Sequence, residues 1–334
     1  MGKETILGLC LIVLGGICQA MFMLPAKWAK AWRFEHIWLT FASFSYLLLP
    51  WLVVILCVPR VWEIFEAVPK HDLFWMGLYA TCWALAALGF GIGVSAIGMS
   101  IGFAIIFGLA AFVGALIPLI GERVLFHGKL SLVVCCLLLM LVGVALCSHA
   151  GKWKEARIEE EIPGRRYFRG VLCCIASGLL GAAGNLGFFA GAGVVRIAYA
   201  RGLSAFAANS VILAYLCLFM FTINAGYATI LLFRSMSFSL LWPNNFGLNH
   251  LLSALMGILW MAGFLLYGVG AHTLGPLGLS LGWGVFMCTV VVSANAVGIL
   301  SGEWRLAPSA ARRQLAIGLA FLVIAIAGLA YSNT

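Results

Sequence analysis

Three side chains in this sequence stand where a proton could be handled: Glu122, His272 and Glu303. Each sits at the end of an apolar run rather than in its middle. Histidine titrates near neutral pH, so His272, beside the Gly275-Pro276 joint, suits a proton carrier. It suits equally a side chain that satisfies the backbone carbonyls of that turn. Glu122 and Glu303 each follow a glycine that closes an apolar run, with Arg123 and Arg305 close behind. Such a carboxylate either takes up a proton or anchors a helix end and gates one face. The middles of the apolar runs hold almost no other Asp, Glu, Lys or Arg, so proton chemistry falls to these three.

A second set could hold a polar solute. Trp83 and Trp260 fall near the centres of their runs, far from the interfacial belt that tryptophan favours. An indole face stacks on the C–H face of a saccharide ring, or it packs in a helix bundle with its N–H bonded to a neighbour. Trp283, at the start of a later run, is open to the same two roles. The runs also carry Gln19, Tyr46, Tyr79, Asn185, Asn209, Tyr215, Asn224, Tyr267 and Asn295. Amides and phenols supply the paired donors and acceptors that hydroxyl groups need, and burying them is unfavourable unless something partners them. The partner is either a solute or another helix. Gln19 and Asn185 stand out because each lies in the first run of its half of the chain.

Several other chemistries are excluded. The glycine-rich stretches lie inside apolar runs, without the strand-then-helix setting of a phosphate-binding loop, and read as close-packing surfaces. No GxxxxGK[ST] motif is present to power an ATP-driven pump. Asp occurs once, at Asp72, and no Asp-rich or HExxH motif offers a metal to a membrane-embedded transferase. The eleven cysteines fall mostly within apolar runs, without zinc spacing. We expect no disulfide, no metal, no cofactor and no enzyme. A ring of like groups, such as lines a channel, is not visible either.

Only a membrane can scaffold these residues. The chain is 64% hydrophobic and 9% charged, whereas soluble proteins carry about 25% charged residues. It could not cover its own surface in water. Apolar runs at 5–24, 36–58, 72–95, 98–120, 130–148, 170–190, 205–233, 248–272, 277–300 and 313–331 each approach the roughly 20 residues a span requires. The expectation is an all-α integral membrane protein of about ten transmembrane helices. The third and fourth runs nearly fuse, as do the eighth and ninth, and neither joint carries Lys or Arg, so both turns should be very short. The net charge of +9 fits basic residues gathered in cytoplasmic loops. No basic stripe with interleaved aromatics suggests nucleic acid. The longest polar segment, 151–169, reads as a cytoplasmic linker between two halves. With the N-terminus outside, thirteen of the twenty Lys and Arg face the cytoplasm. That favours both termini outside an inner cell membrane.

The halves echo each other. Met99-Ser-Ile-Gly-Phe103 matches Leu279-Ser-Leu-Gly-Trp283, Gly91-Ile-Gly93 matches Gly268-Val-Gly270, Trp83 matches Trp260, and Gly121-Glu122 matches Gly302-Glu303. Five spans per half is odd, so residues 1–150 and 170–334 would cross the membrane in opposite directions, an inverted repeat of the kind found in many secondary transporters. The chain resembles the L-rhamnose–proton symporter family within the drug/metabolite transporter superfamily. The resemblance rests on Met21-Phe-Met-Leu-Pro-Ala-Lys27, on Gly91 to Gly108 with Gly98-Met-Ser-Ile-Gly102, and on Gly302-Glu-Trp304 before Arg312-Arg313. It implies uptake of a deoxyhexose driven by the proton gradient, through a site between two five-helix halves in contact with membrane lipid. An exporter or uniporter of amino acids or other small polar metabolites is the alternative.

Overall fold

The computed structural model describes residues 2–97, 99–121, 130–155, 164–242, 246–275 and 277–332. Ten helices are long and apolar enough to cross a membrane. Spans 1 to 5 are Lys3–Trp28, Phe34–Cys57, Lys70–Val94, Ile101–Ile120 and Leu130–Trp153. Spans 6 to 10 are Tyr167–Ala200, Ala205–Ser235, Gly247–Thr273, Gly278–Leu300 and Ser309–Ser332. No strand occurs among the described residues. In hydrocarbon every backbone N–H and C=O must be satisfied internally, and a helix does this within one segment. The chain is therefore a multi-pass, all-helical membrane protein, as its composition requires.

Both short joints form as expected. One residue separates helix Lys70–Ile97 from helix Met99–Gly121. At the other joint Gly275, at φ +81°, makes a left-handed turn that a side chain would strain. Two segments depart from expectation. Helices Leu130–Glu155 and Gly164–Gly181 run into the expected linker 151–169 from both sides; its middle lies outside the described residues. Span 6 extends ten residues beyond the expected 190 and consists of three helices, Gly164–Gly181, Ala183–Ala190 and Ala192–Ala200. Arg196, which falls between the expected runs 170–190 and 205–233, lies on the last of them.

Prolines shape two other spans. In span 2 the turn before Pro50 widens into a π-helix, Ser43–Leu48, and the Leu49 N–H reaches back to the Phe44 carbonyl. A proline lacks the donor and the room for a regular turn behind it. In span 4, Pro118 lies inside the helix and leaves the carbonyl of Gly114, four residues back, without its usual donor.

Spans 1, 8 and 9 pack together, as do spans 6, 3 and 4; spans 2 and 7 pair, and so do spans 5 and 10. Close contact depends on small residues. Gly8 lies against Gly270 and Leu274, Gly15 against the Gly263 carbonyl, and Gly16 against Phe286 and Thr289. In the other group Gly170 lies against Ile97, and Gly178 against Ile106 and Leu109, while Ser177 donates to the Ala86 carbonyl at 2.7 Å. A Cβ at Gly15 would stand 2.7 Å from the Gly263 oxygen, which is backbone and cannot swing aside. Gly15→Val is therefore expected to cost about 1–3 kcal/mol by thermal unfolding in detergent. Gly91→Ala, where a Cβ meets nothing within 4 Å, should be neutral.

Candidate functional site

The two tryptophans singled out by position meet each other. Trp83 of span 3 stacks on Trp260 of span 8 with ring centroids 5.8 Å apart and planes 29° apart. Tyr46, carried by the π-helix of span 2, sets its edge on Trp260 at 4.7 Å. Phe264 completes the cluster, 4.8 Å from each indole. Span 6 approaches through Gly184, where a Cβ would stand 2.9 Å from the Trp83 ring. Trp260 is buried and Trp83 half-buried, so the cluster is accessible on its Trp83 side.

Hydrogen bonding sorts the polar candidates into two classes. Those of the first class are engaged with backbone. Asn185, fully buried, donates through Nδ2 to the carbonyls of Gly114 at 2.8 Å and Leu279 at 2.9 Å. The Tyr267 hydroxyl donates to Asn185 Oδ1 and lies 3.2 Å from the Leu279 carbonyl. Ser280 donates to the Ala115 carbonyl at 2.6 Å, and the Trp283 N–H to the Ala110 carbonyl at 3.0 Å. Asn185, Ser280 and Trp283, from spans 6 and 9, deliver donors to span 4, Tyr267 of span 8 braces Asn185, and the four form a latch. Asn185 supplies the Gly114 carbonyl with the donor that Pro118 removes. Gly114 also makes room for Trp283, since a Cβ there would stand 2.4 Å from the indole nitrogen.

Other engaged groups lie elsewhere. The Tyr215 hydroxyl donates to the Leu73 carbonyl at 3.0 Å. Asn224 Oδ1 accepts from the Trp38 N–H at 3.2 Å. Asn295 Nδ2 donates to the Val291 carbonyl in its own helix at 2.9 Å. Tyr79 stacks on Trp75, 5.7 Å away, and makes no ring contact with the central cluster.

In the second class, hydrogen-bonding capacity is left over. Gln19 Oε1 is buried without a partner and faces Gly263, one turn from Trp260. The indole N–H groups of Trp83 and Trp260, and the Tyr46 hydroxyl, have no hydrogen-bond partner among the described residues. Asn209 is also left over: Nδ2 donates to Ala205 in its own helix, while Oδ1 has no partner and faces Gly268. Tyr46, Trp83 and Trp260 thus carry a hydroxyl and two indole N–H groups in one aromatic cluster, and the Gln19 amide lies beside Gly263, one turn along span 8 from Trp260.

The proton candidates are scattered. Glu122 lies outside the described residues. Glu303 pairs with Lys27 at 3.1 Å, which joins the ends of spans 1 and 9 within one packing group. His272 is half-buried in the last turn of its helix. Its carbonyl accepts the Gly275 N–H at 3.1 Å, and its ring has no hydrogen-bond partner among the described residues.

The two ends of the bundle differ. One large core runs through the bundle, from Ala271 and Leu281 near the latch to Ala150, Trp304 and Ala311 at the other end. At the end bearing the linker, Ile97, Ile106 and Cys174 of spans 3, 4 and 6 form a small core of their own, with Phe90 and Val94 against it. Gly91 and Ile92 at that end are exposed. Sequence reasoning left three of the four latch side chains open to a solute or to another helix, and passed over Ser280, Phe264 and Pro118. The available signal was a proline inside an apolar run, which orphans a carbonyl, together with an amide in another run that could satisfy it.

Asn185→Leu should therefore lower thermal stability by about 1–3 kcal/mol, the cost of stranding buried carbonyls. In a Pro118→Ala background, where residue 118 again donates to Gly114, that cost should fall by about 1 kcal/mol. Equal costs in both backgrounds would refute the pairing of roles.

Comparison with known proteins agrees with this architecture. A curated L-rhamnose-proton symporter from Citrobacter koseri is 26% identical over 342 residues, covering 97% of each chain. Those from Salmonella paratyphi B and Salmonella newport are 27% identical over 345 residues, covering 98% of this chain and 97% of theirs. A solved crystal structure superposes over 98% of both chains with a TM-score of 0.55 at 17% identity, a likeness of fold. The family model for the L-rhamnose-proton symport protein matches residues 1–332, and the chain belongs to that family of transporters.

Proposed function

We propose that this protein imports L-rhamnose or a close deoxyhexose together with a proton, through a site formed by Gln19, Tyr46, Trp83 and Trp260. The single observation that carries the site is the stacking of Trp83 on Trp260, with the Tyr46 hydroxyl on the same cluster and an unpartnered Gln19 amide oxygen one turn away. A deoxyhexose presents hydroxyls and an apolar C–H face, and these groups answer both. Asn185, Tyr267 and Trp283 are assigned to the latch instead, because their polar atoms are already engaged.

The halves 1–150 and 170–334 are read as inverted repeats. Support comes from the contact register. The offset that carries Gly8 to Gly170 also carries Gly16 to Gly178. The residues these glycines touch correspond too, Ile106 with Phe286 and Leu109 with Thr289. The orientation follows the distribution of basic residues, with both termini outside the inner membrane and the linker cytoplasmic. The latched end is then the outer one and the linker end faces the cytoplasm, and sugar crosses by alternating closure of the two ends. His272, at the outer end of span 8, is the favoured proton site; Glu122 and Glu303 are assigned to holding helix ends.

Uptake into proteoliposomes with an imposed pH gradient tests the reading. Labelled L-rhamnose should accumulate only when the gradient is present, with alkalinisation of the medium. Gln19→Leu should weaken sugar binding about tenfold, the worth of one to two hydrogen bonds. Trp260→Phe should weaken it by on the order of 1 kcal/mol, since the ring stays and the N–H goes. Unchanged affinity in both variants returns these residues to packing. Sugar-dependent alkalinisation that survives unaltered in His272→Gln removes that residue as the proton site.

A further inference from the structure

We infer that the two ends of this carrier close through chemically unequal gates, and that the empty protein rests with the end built by Asn185, Tyr267, Ser280 and Trp283 shut. The inference rests on the inverted-repeat reading above and concerns what each half places at the matching positions. The offset that carries Gly8 to Gly170 and Gly16 to Gly178 carries Met23 to Asn185. The offset that relates Trp83 to Trp260 and Gly93 to Gly270 relates Phe90 to Tyr267. The offset that relates Ile106 to Phe286 and Leu109 to Thr289 relates Phe103 to Trp283, and Pro118 to Gly298.

The pairwise geometry is kept while the chemistry changes. Phe90 and Phe103 stand 5.1 Å apart, as Tyr267 and Trp283 stand 5.4 Å apart. Tyr267 and Trp283 donate hydrogen bonds to Asn185 and Ala110; phenylalanine rings have nothing to donate. Asn185 reaches two carbonyls; Met23 has no amide. The difference traces to the backbone. Pro118 orphans the Gly114 carbonyl and creates the demand for a side-chain donor. Gly298 keeps its N–H, so its half creates no such demand. Closing the linker end therefore gains apolar contact alone at these positions, while closing the latched end adds oriented hydrogen bonds.

Two closures of unequal strength make an unequal two-state equilibrium. The latch must come apart for spans 4 and 9 to separate at that end. One buried hydrogen bond is worth about a tenfold change in the populations, so removing a single donor should be visible without sugar, proton gradient or transport.

The measurement is a distance at the latched end. Spin labels are attached through unnatural keto amino acids at Lys3 and Lys70, the starts of spans 1 and 3, which leaves the eleven cysteines untouched. In sugar-free lipid nanodiscs, double electron–electron resonance should give one dominant short distance for the parent. Tyr267→Phe keeps the ring, removes the donor, and should raise a longer-distance population about tenfold. Trp283→Phe should do the same to a smaller degree, and carries the test if the first variant is too unstable to purify. A dominant long distance in the parent overturns the inference, as does an unchanged distribution in the variants. Because no sugar enters, failure here is distinct from failure of the substrate assignment, which shows as absent L-rhamnose uptake by the parent.

Discussion

A proline in span 4 sets the central constraint on this structure. Pro118 cannot donate to the Gly114 carbonyl, and in hydrocarbon no water takes its place. A buried carbonyl without a partner is costly enough that the fold must supply a donor. It does so with Asn185, which sits just after the first break in span 6. The same amide reaches Leu279 at the start of span 9, and Tyr267 of span 8 bonds to its oxygen. One missing N–H thus draws four spans to a common point. The glycines nearby follow from that closeness: Gly114 leaves room for Trp283, and Gly184, next to Asn185, leaves room for Trp83.

From this point the bundle divides by kind of contact. Hydrogen bonds at the latched end have fixed length and direction, so that end is either joined or parted. The aromatic cluster below it is different. Trp83 belongs to the group of spans 3, 4 and 6, and Trp260 to the group of spans 1, 8 and 9. Their contact is a stack of faces, which loses little when one ring slides over the other. The Lys27–Glu303 pair lies within one group and is exposed on both sides, so it contributes little stability and stiffens the group rather than joining the two. The bundle thus carries directional bonds between groups at one end and a stack of faces at the middle.

Much of this was legible in the sequence, for reasons that differ by feature. The ten spans follow from long apolar runs, and the short joints from the absence of Lys and Arg between runs. The tryptophans were conspicuous because each interrupts the middle of a span. Their mutual contact was foreshadowed by the match between positions 83 and 260. The roles of the polar residues were not legible. An asparagine in an apolar run looks the same whether it binds solute or a carbonyl, and the difference lies in a proline some seventy positions earlier. The extra length and breaks of span 6 were hidden too, since Gly181 and Gly191 stand among glycines that elsewhere only pack helices. Gln19 read correctly as a polar residue in a first span, but its lack of a partner is a fact of three-dimensional arrangement.

The scarcity of charge in the span middles also shapes how a proton can act. Among the described residues the carboxylates lie at span ends or in loops, as Glu35, Glu63, Asp72 and Glu303 do. A proton bound at such a place would not meet a sugar held at the site proposed above, and would not strengthen its binding by direct contact. Coupling must then pass through the conformational equilibrium, since two ligands influence each other whenever each favours the same global state. His272 lies on the same helix as Tyr267, little more than one turn beyond it toward the latched end. A charge gained there alters the surroundings of the latch before it alters anything at the aromatic floor. Unequal gates give such a remote charge leverage. An interaction the size of one of the latch hydrogen bonds shifts such an equilibrium measurably.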